Sequence, residues 1–339
     1  MLEDLRSSTG RLILGALVLA GLLGEGLCRR ALPRGYSICF LTNRSTEDRP
    51  RFTAGHPTDR QSDGLTYHFD ADGFRLNGPG GGSGRAVLFI GDSITMGFLV
   101  KDEETLVAAA ERRLSARGLR VRCLNAGASG IGAAAELRLL RWLLARHQVD
   151  AVVEEVYPSN DLTDNWQDGG FSIEGGALVE KDPPLTPPLM RLRGLLLDNW
   201  LAHHSKMVML LANTFCNGVT FLPDVDDGLV ELERRLLIET VRTLREKRIP
   251  LLLVVVPSPG EAGVRPVPRP RVTPNDGDPV VYGRVAALVG GLGVPAMDLK
   301  SVLGQPEHYL SWDTHLSPVG NEAAGRAIAD RLVSLMPRR

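Results

Sequence analysis

The sequence predicts an α/β protein: a three-layer α/β/α domain on a central parallel sheet. Three observations carry this reading. From residue 85 onward, short apolar, branched-rich runs alternate with stretches of helical periodicity. The runs read as apolar throughout, the pattern of strands covered on both faces. Strand–helix alternation with right-handed crossovers then yields a doubly wound sheet.

The elements follow in order. Ala86–Ile90 is a strand and Glu104–Ala116 a helix; Val121–Leu124 is a second strand, followed by the strongly helical Ala133–His147. Ala151–Val156 is a third strand, and Leu229–Lys247 is an amphipathic helix. Leu251–Val256, LLLVVV, is a fourth strand; Val281–Gly290 is a helix, Val294–Leu299 a short strand and Gly320–Leu335 a closing helix. Between Leu162 and Asp227 lies an insertion, proline-marked at first and then apolar-helical over Met190–Asn213. It leaves the third strand at the rim where sites form. It is read either as decoration of a sheet face or as a lid or groove wall, with Trp166 and Trp200 available to stack on a sugar.

Upstream the text changes character. Pro33 to about Gly84 is polar and arginine-rich, with an extended segment or hairpin over Tyr67–Gly78. Asp70-Ala71-Asp72-Gly73 starts like a calcium loop but lacks the later acidic ligands, so it is read as a turn. The run Gly78–Gly84 reads as a flexible linker. Leu12–Gly24 is uncharged throughout. It is short for a span and suits a signal-anchor or uncleaved signal better than a core helix. Arg29, Arg30 and Arg34 behind it favour a cytoplasmic body, whereas its N-terminal position favours export, so the orientation stays open. The expected organisation is therefore a signal-like segment over 1–30, a polar region and linker over 31–84, and a catalytic domain over 85–339 with an insertion at about 162–227.

Composition excludes some classes. The chain has 339 residues, 43% of them hydrophobic and 23% charged, enough for a full core. A net charge of −1 and the lack of a basic stripe argue against nucleic acid as a partner. Cys28, Cys39, Cys123 and Cys216 form no CxxC pair and no zinc spacing, so no metal is expected and buried thiols are the simplest reading. A Cys28–Cys39 disulfide is compatible with an oxidising compartment but not required by anything in the sequence.

Four strand ends carry chemistry. The first ends in Gly91-Asp92-Ser93, the second in Asn125–Gly130 (NAGASG), the third runs into Asn160 and Asp161, and Asp313 and His315 precede the last helix. Each has a structural alternative. Ser93 suits a helix N-cap, the glycines a tight turn, Asn160-Asp161 a turn pair and His315 a surface histidine. Their shared rim and chain order favour the chemical reading.

The stretch GDSITMG resembles the nucleophile block of the SGNH, or GDSL, hydrolases. The later blocks fall in that family's order, over about Ala86 to the C-terminus. The resemblance implies a flavodoxin-like SGNH hydrolase fold, Ser93 as nucleophile, and Asp313 and His315 as its triad partners. It implies Ser93, Gly130 and Asn160 as oxyanion-hole donors, and no cofactor. Two positions depart from the pattern. Pro158 stands where the third block usually has glycine, and Asp313 lies two residues before His315 instead of three. The D-x-H spacing is similar to that of SGNH-like proteins of polysaccharide O-acetylation.

The chemistry is self-consistent. Serine needs an adjacent base, His315 supplies one, and Asp313 fixes its tautomer. Each oxyanion donor is worth about a hundredfold to a thousandfold in rate, roughly 3–4 kcal/mol. The α/β-hydrolase elbow G-x-S-x-G is absent, since Thr95 stands at its second glycine. The expected function is a serine esterase acting on acetyl or similar oxygen esters of a small molecule or glycan, tethered to a membrane or exported to the envelope. The alternatives are an O-acyltransferase on an envelope glycan, and a membrane-anchored binding protein with a dead site. The oligomeric state is not readable from the sequence.

Overall fold

A computed structural model describes residues 8–31, 58–62, 65–78, 83–181, 201, 205–208, 210–211, 224–264, 277–311 and 313–336. Most of the expected apolar-helical stretch of the insertion, Trp200, Cys39, Cys216 and the centre of the glycine-rich run lie outside them. The chain divides into two compact units.

The first unit contains helix α1, Ser8–Ala31. At 1.5 Å per residue it is about 36 Å long, against about 30 Å of bilayer hydrocarbon. Leu12, Leu17, Leu22 and Leu27 are all exposed on it. Over Gly10–Ala31 it is long and apolar enough to cross a membrane. The uncharged run stops at Gly24, and the helix continues through Glu25 to Ala31. The Glu25 carboxylate accepts from Ser205 Oγ (2.7 Å) and from the backbone N–H groups of Lys206 (3.1 Å) and Met207 (3.0 Å), and it pairs with Arg29 one turn on (2.6 Å). Cys28 is a free thiol.

The second unit holds a five-stranded parallel sheet. Its strands are β3 (Arg85–Ile90), β4 (Val121–Asn125), β5 (Ala151–Val156), β8 (Leu251–Val255) and β9 (Ala296–Asp298), in the order β4-β3-β5-β8-β9. β1 (Thr58–Ser62) and β2 (Leu65–Phe69) pair upstream, and β6 (Phe171–Glu174) with β7 (Ala177–Glu180) forms a hairpin. The first sheet strand, β3, lies between the second and third, so the connections leaving β3 and β5 diverge above a crevice at their carboxyl ends.

Side-chain alternation sorts the two cores. Val87, Phe89, Val121, Val153, Leu252 and Val254 face α3 (Leu106–Ala116) and α8 (Pro318–Leu335). Leu88, Ile90, Val152, Leu251, Leu253 and Val255 face α4 (Ala133–Leu144), α6 (Asp227–Glu246) and α7 (Pro279–Gly290). The three-layer fold is thus the predicted one. Asn321 of α8 ties the last loop to the body: its Oδ1 accepts from Leu106 N (2.9 Å), and its Nδ2 donates to Leu316 O (3.1 Å) and Ser317 O (3.0 Å).

One strand departs from expectation. β5 is not apolar throughout, because Glu154 and Glu155 sit in it, fully buried. With Glu136 of α4, Glu233 of α6 and Asp161 they form a cluster of buried acids. Burial raises each carboxyl above its ordinary range, and the neighbouring acids raise all but Glu233 further. Glu154, pushed up to about 8 by burial and by Glu233, accepts from Thr240 Oγ1 at 3.3 Å.

A carboxyl whose folded pKa is raised holds its proton more tightly in the native state. Its stabilisation is complete below the ordinary value of 4.5 and is lost as pH climbs through about 8. Glu154→Gln is therefore expected to melt several degrees above the wild type at about pH 9, the gap closing toward about pH 4.5. Scanning calorimetry across that range checks it; a gap that does not vary with pH contradicts it.

Candidate active site

The carboxyl end of β3 turns directly into the one-turn helix α2, Ser93–Met96. Asp92 is its N-cap and accepts from Ile94 N at 2.6 Å. Ser93 is therefore not the cap. It is the first helical residue, 7% exposed, and its hydroxyl is not needed by the local backbone.

Two close approaches make the turn feasible. Glu155 Oε2 lies beneath it and accepts from Asp92 N (3.1 Å), Thr95 N (3.3 Å) and Thr95 Oγ1 (3.0 Å). From the β4 side Gly127 meets the same turn, and a Cβ on it would stand 2.1 Å from Met96 N and 2.6 Å from Met96 Cα. Gly127 is thus required by backbone proximity, a stricter demand than the tight turn read from sequence.

His315 arrives from a loop between β9 and α8. Its Nε2 is 2.8 Å from Ser93 Oγ, across 222 residues of sequence. Its Nδ1 is 2.5 Å from Asp313 Oδ1, and the same oxygen accepts from the His315 backbone N–H at 3.0 Å. This double grip explains the short spacing. A carboxylate two residues before an N–H closes an Asx turn, which brings the imidazole of the gripped residue onto the same oxygen. With Nδ1 protonated against the carboxylate, Nε2 is left to accept the Ser93 proton. The Phe98 ring lies 5.0 Å from the imidazole at 60°.

Asn160 follows β5. Its Nδ2 donates to Asp92 Oδ2 at 2.9 Å, an oxygen that also lies 3.4 Å from Ser93 Oγ. Pro158 does not disturb this loop. Asn160 N donates to Tyr157 O (3.2 Å), which places Pro158 second in a turn where its fixed φ is favoured. Tyr157 N donates to Asp161 Oδ2 at 2.6 Å. Gly130 lies in the loop after β4 with a φ of 69° and is partly exposed. Ser93, His315, Asp313 and Asn160 thus form one hydrogen-bonded set, linked by Asp92; Gly130 is in the neighbouring loop. Trp166, on α5 (Asp161–Asp168), is half exposed.

Among the described residues, no three His, Cys, Asp or Glu side chains are arranged to hold a metal ion. The Asp70 segment is a turn: Oδ1 of Asp70 accepts from Asp72 N (3.0 Å) and Phe74 N (2.9 Å). The sequence reading missed Glu155 as a support of the turn, although two adjacent glutamates in a central strand were a visible signal.

Residues 215–337 match the family model described as SGNH hydrolase-like domain, acetyltransferase AlgX. Over those residues, which include Asp313 and His315, the chain is similar to SGNH hydrolase-like domains. No curated protein matches the chain. Solved structures similar to it include TesA, at 16% identity over 74% of this chain and 100% of that one, with a TM-score of 0.46. Others are a putative arylesterase from Agrobacterium tumefaciens str. C58 (20%, 75% and 100%, TM-score 0.43) and a lipase/acylhydrolase from Enterococcus faecalis (18%, 76% and 100%, TM-score 0.46).

Gly127→Ala tests the packing of this site. The added methyl meets backbone atoms that cannot rotate away, so the turn carrying Ser93 must shift. We expect a stability loss of about 2 kcal/mol, within the usual range for overpacking, and a lengthened Ser93–His315 distance. Denaturant unfolding and a crystal structure of the variant measure the two.

Proposed function

We propose that the protein is a serine esterase that cleaves acetyl or similar oxygen esters through an acyl-enzyme on Ser93. The observation that carries this is the continuous path Ser93 Oγ–His315 Nε2 and His315 Nδ1–Asp313 Oδ1. In the proposed reaction His315 takes the Ser93 proton as Oγ attacks the ester carbon. It then passes the proton to the departing alcohol, and the acyl group stays on Ser93. Water, deprotonated by the same Nε2, then attacks the acyl carbon and releases the acid. The oxyanion is assigned to the Ser93 N–H at the head of α2, the Gly130 N–H and the Asn160 amide. Asn160 Nδ2 already lies at the nucleophile's own N-cap, consistent with that role. Asp313 holds the tautomer and offsets the charge on the imidazolium.

Helix α1 supports tethering of this activity to a membrane, with a small-molecule or glycan ester as substrate.

A second reading keeps the acyl-enzyme and changes the acceptor to a sugar hydroxyl. It is favoured by the matched family description, which names an acetyltransferase.

Ser93→Ala is expected to abolish hydrolysis of a small aryl acetate, a loss of about a thousandfold or more. It should also abolish covalent labelling by a fluorophosphonate. Turnover unchanged in a pure variant overturns the role of Ser93, and a pure wild type with no turnover and no labelling leaves a binding protein. With an acyl donor and candidate glycans together, hydrolysis releases free acid in proportion to donor consumed. Transfer instead gives an acylated sugar, which mass spectrometry detects.

A further inference from the structure

We propose that the segment 65–78, upstream of the glycine-rich run, completes the active site: Arg75 and Tyr67 are positioning residues that hold loop 96–100 and, through Phe98, set the place of His315. The kinetic part of this inference rests on the esterase reading above.

Arg75 is buried to 2% exposure, rare for a guanidinium, and all its bonds go to one region. Nη1 donates to Met96 O (2.8 Å) and Gly97 O (2.5 Å), and Nη2 donates to Val100 O (2.7 Å). Nε donates to Asp102 Oδ1 at 2.9 Å, and His68 Nδ1 donates to the other oxygen at 2.5 Å. Met96 O is a carbonyl that the single-turn helix leaves over at its C-terminus, and Gly97 O and Val100 O belong to the cap and the loop that follow. α2 ends on Gly97 in the left-handed region, φ 78°, and Leu99 follows with φ 66°, a conformation costly for a branched side chain. Tyr67 holds that strained residue: its hydroxyl accepts from Leu99 N at 2.9 Å, while its ring lies under the Arg75 guanidinium at 4.4 Å.

Between the two clamped points stands Phe98. Its N–H donates to Ser93 O (2.9 Å) and its ring rests on His315. The loop that Arg75 and Tyr67 hold is therefore a wall of the imidazole's seat. The segment itself is fixed to the sheet edge, where Arg75 N donates to Asn125 O (3.0 Å) and Asn77 Nδ2 to Cys123 O (2.8 Å).

The experiment compares full-length wild type, Arg75→Lys and Tyr67→Phe with an aryl acetate, expressing kcat per Ser93 titrated by a fluorophosphonate. Lysine keeps the charge but cannot fork to three carbonyls. Tyr67→Phe keeps the ring and removes one acceptor. We expect kcat to fall about tenfold to a hundredfold in Arg75→Lys and about threefold to tenfold in Tyr67→Phe, with KM changed less than about twofold, as for a small misplacement of catalytic groups. Native-state hydrogen exchange at Gly97 and Phe98 should accelerate in both variants while β8 amides keep their rates. Folded variants with wild-type kcat and exchange overturn the proposal. Should Arg75→Lys fail to fold, Tyr67→Phe decides alone, since it deletes one hydroxyl. An inert wild type overturns the esterase reading instead, and the exchange rates at Gly97 and Phe98 still decide the clamp.

Discussion

The active rim depends on one buried carboxyl group. Glu155 Oε2 accepts from two backbone N–H groups and a hydroxyl of the turn that carries Ser93. Those donors belong to the first turn of α2, too short to satisfy them itself. β5 neighbours β3 in register, Ile90 opposite Glu154, so a glutamate one residue further on reaches under the turn as β3 ends. An aliphatic side chain there would bury the amides unpaired, at a cost of about 1–3 kcal/mol each. The position of the nucleophile is thus set from the neighbouring strand.

Such a support requires its own environment. Burial and the facing Asp92 both raise the Glu155 carboxyl well above its ordinary value, which favours its neutral form beside Asp92, the cap of α2. The other buried acids behave alike: a row of charged carboxylates in the core would be untenable, whereas neutral acids are tolerable hydrogen-bonding groups. Asn165 and Thr240 donate to Glu233 (2.5 Å) and Glu154 (3.3 Å). Burial between β5, α4 and α6 thus shifts every one of these acids toward the neutral form.

Much of this was legible in the sequence, for definable reasons. Strands β3 and β8 stood out because parallel strands need continuous apolar runs, and the Ser93 block because a hydroxyl follows such a run. What escaped notice was non-local. Arg75 acts on carbonyls 21 to 25 residues away, from a stretch with no apolar period, and one arginine among many in that stretch carries no mark of burial. The Asp313–His315 spacing stood out because it departs by one residue from the pattern of the family the sequence resembles. The carboxylate's second bond, to the backbone N–H, makes two residues the natural separation. In α1, Glu25 finds partners at Ser205, Lys206 and Met207, which no local pattern announces.

The two acyl fates considered for Ser93 differ in a way that locates the deciding residues. In the proposed reaction His315 Nε2 would serve both, deprotonating whichever hydroxyl approaches the acyl carbon, and neither Asp313 nor the proposed oxyanion donors would distinguish water from a sugar. Water is always in excess, so a sugar competes only if it is bound with its hydroxyl already aligned, the advantage in effective concentration that orientation supplies. That binding must come from groups beside the rim and outside the triad. In the described part of the domain the exposed aromatic nearest in sequence to Asn160 is Trp166, on α5, the helix that begins at Asp161. For either proposed fate α5 offers an exposed aromatic on the helix that follows Asn160, while β3, β5 and the loop before α8 hold Ser93 and His315 in place.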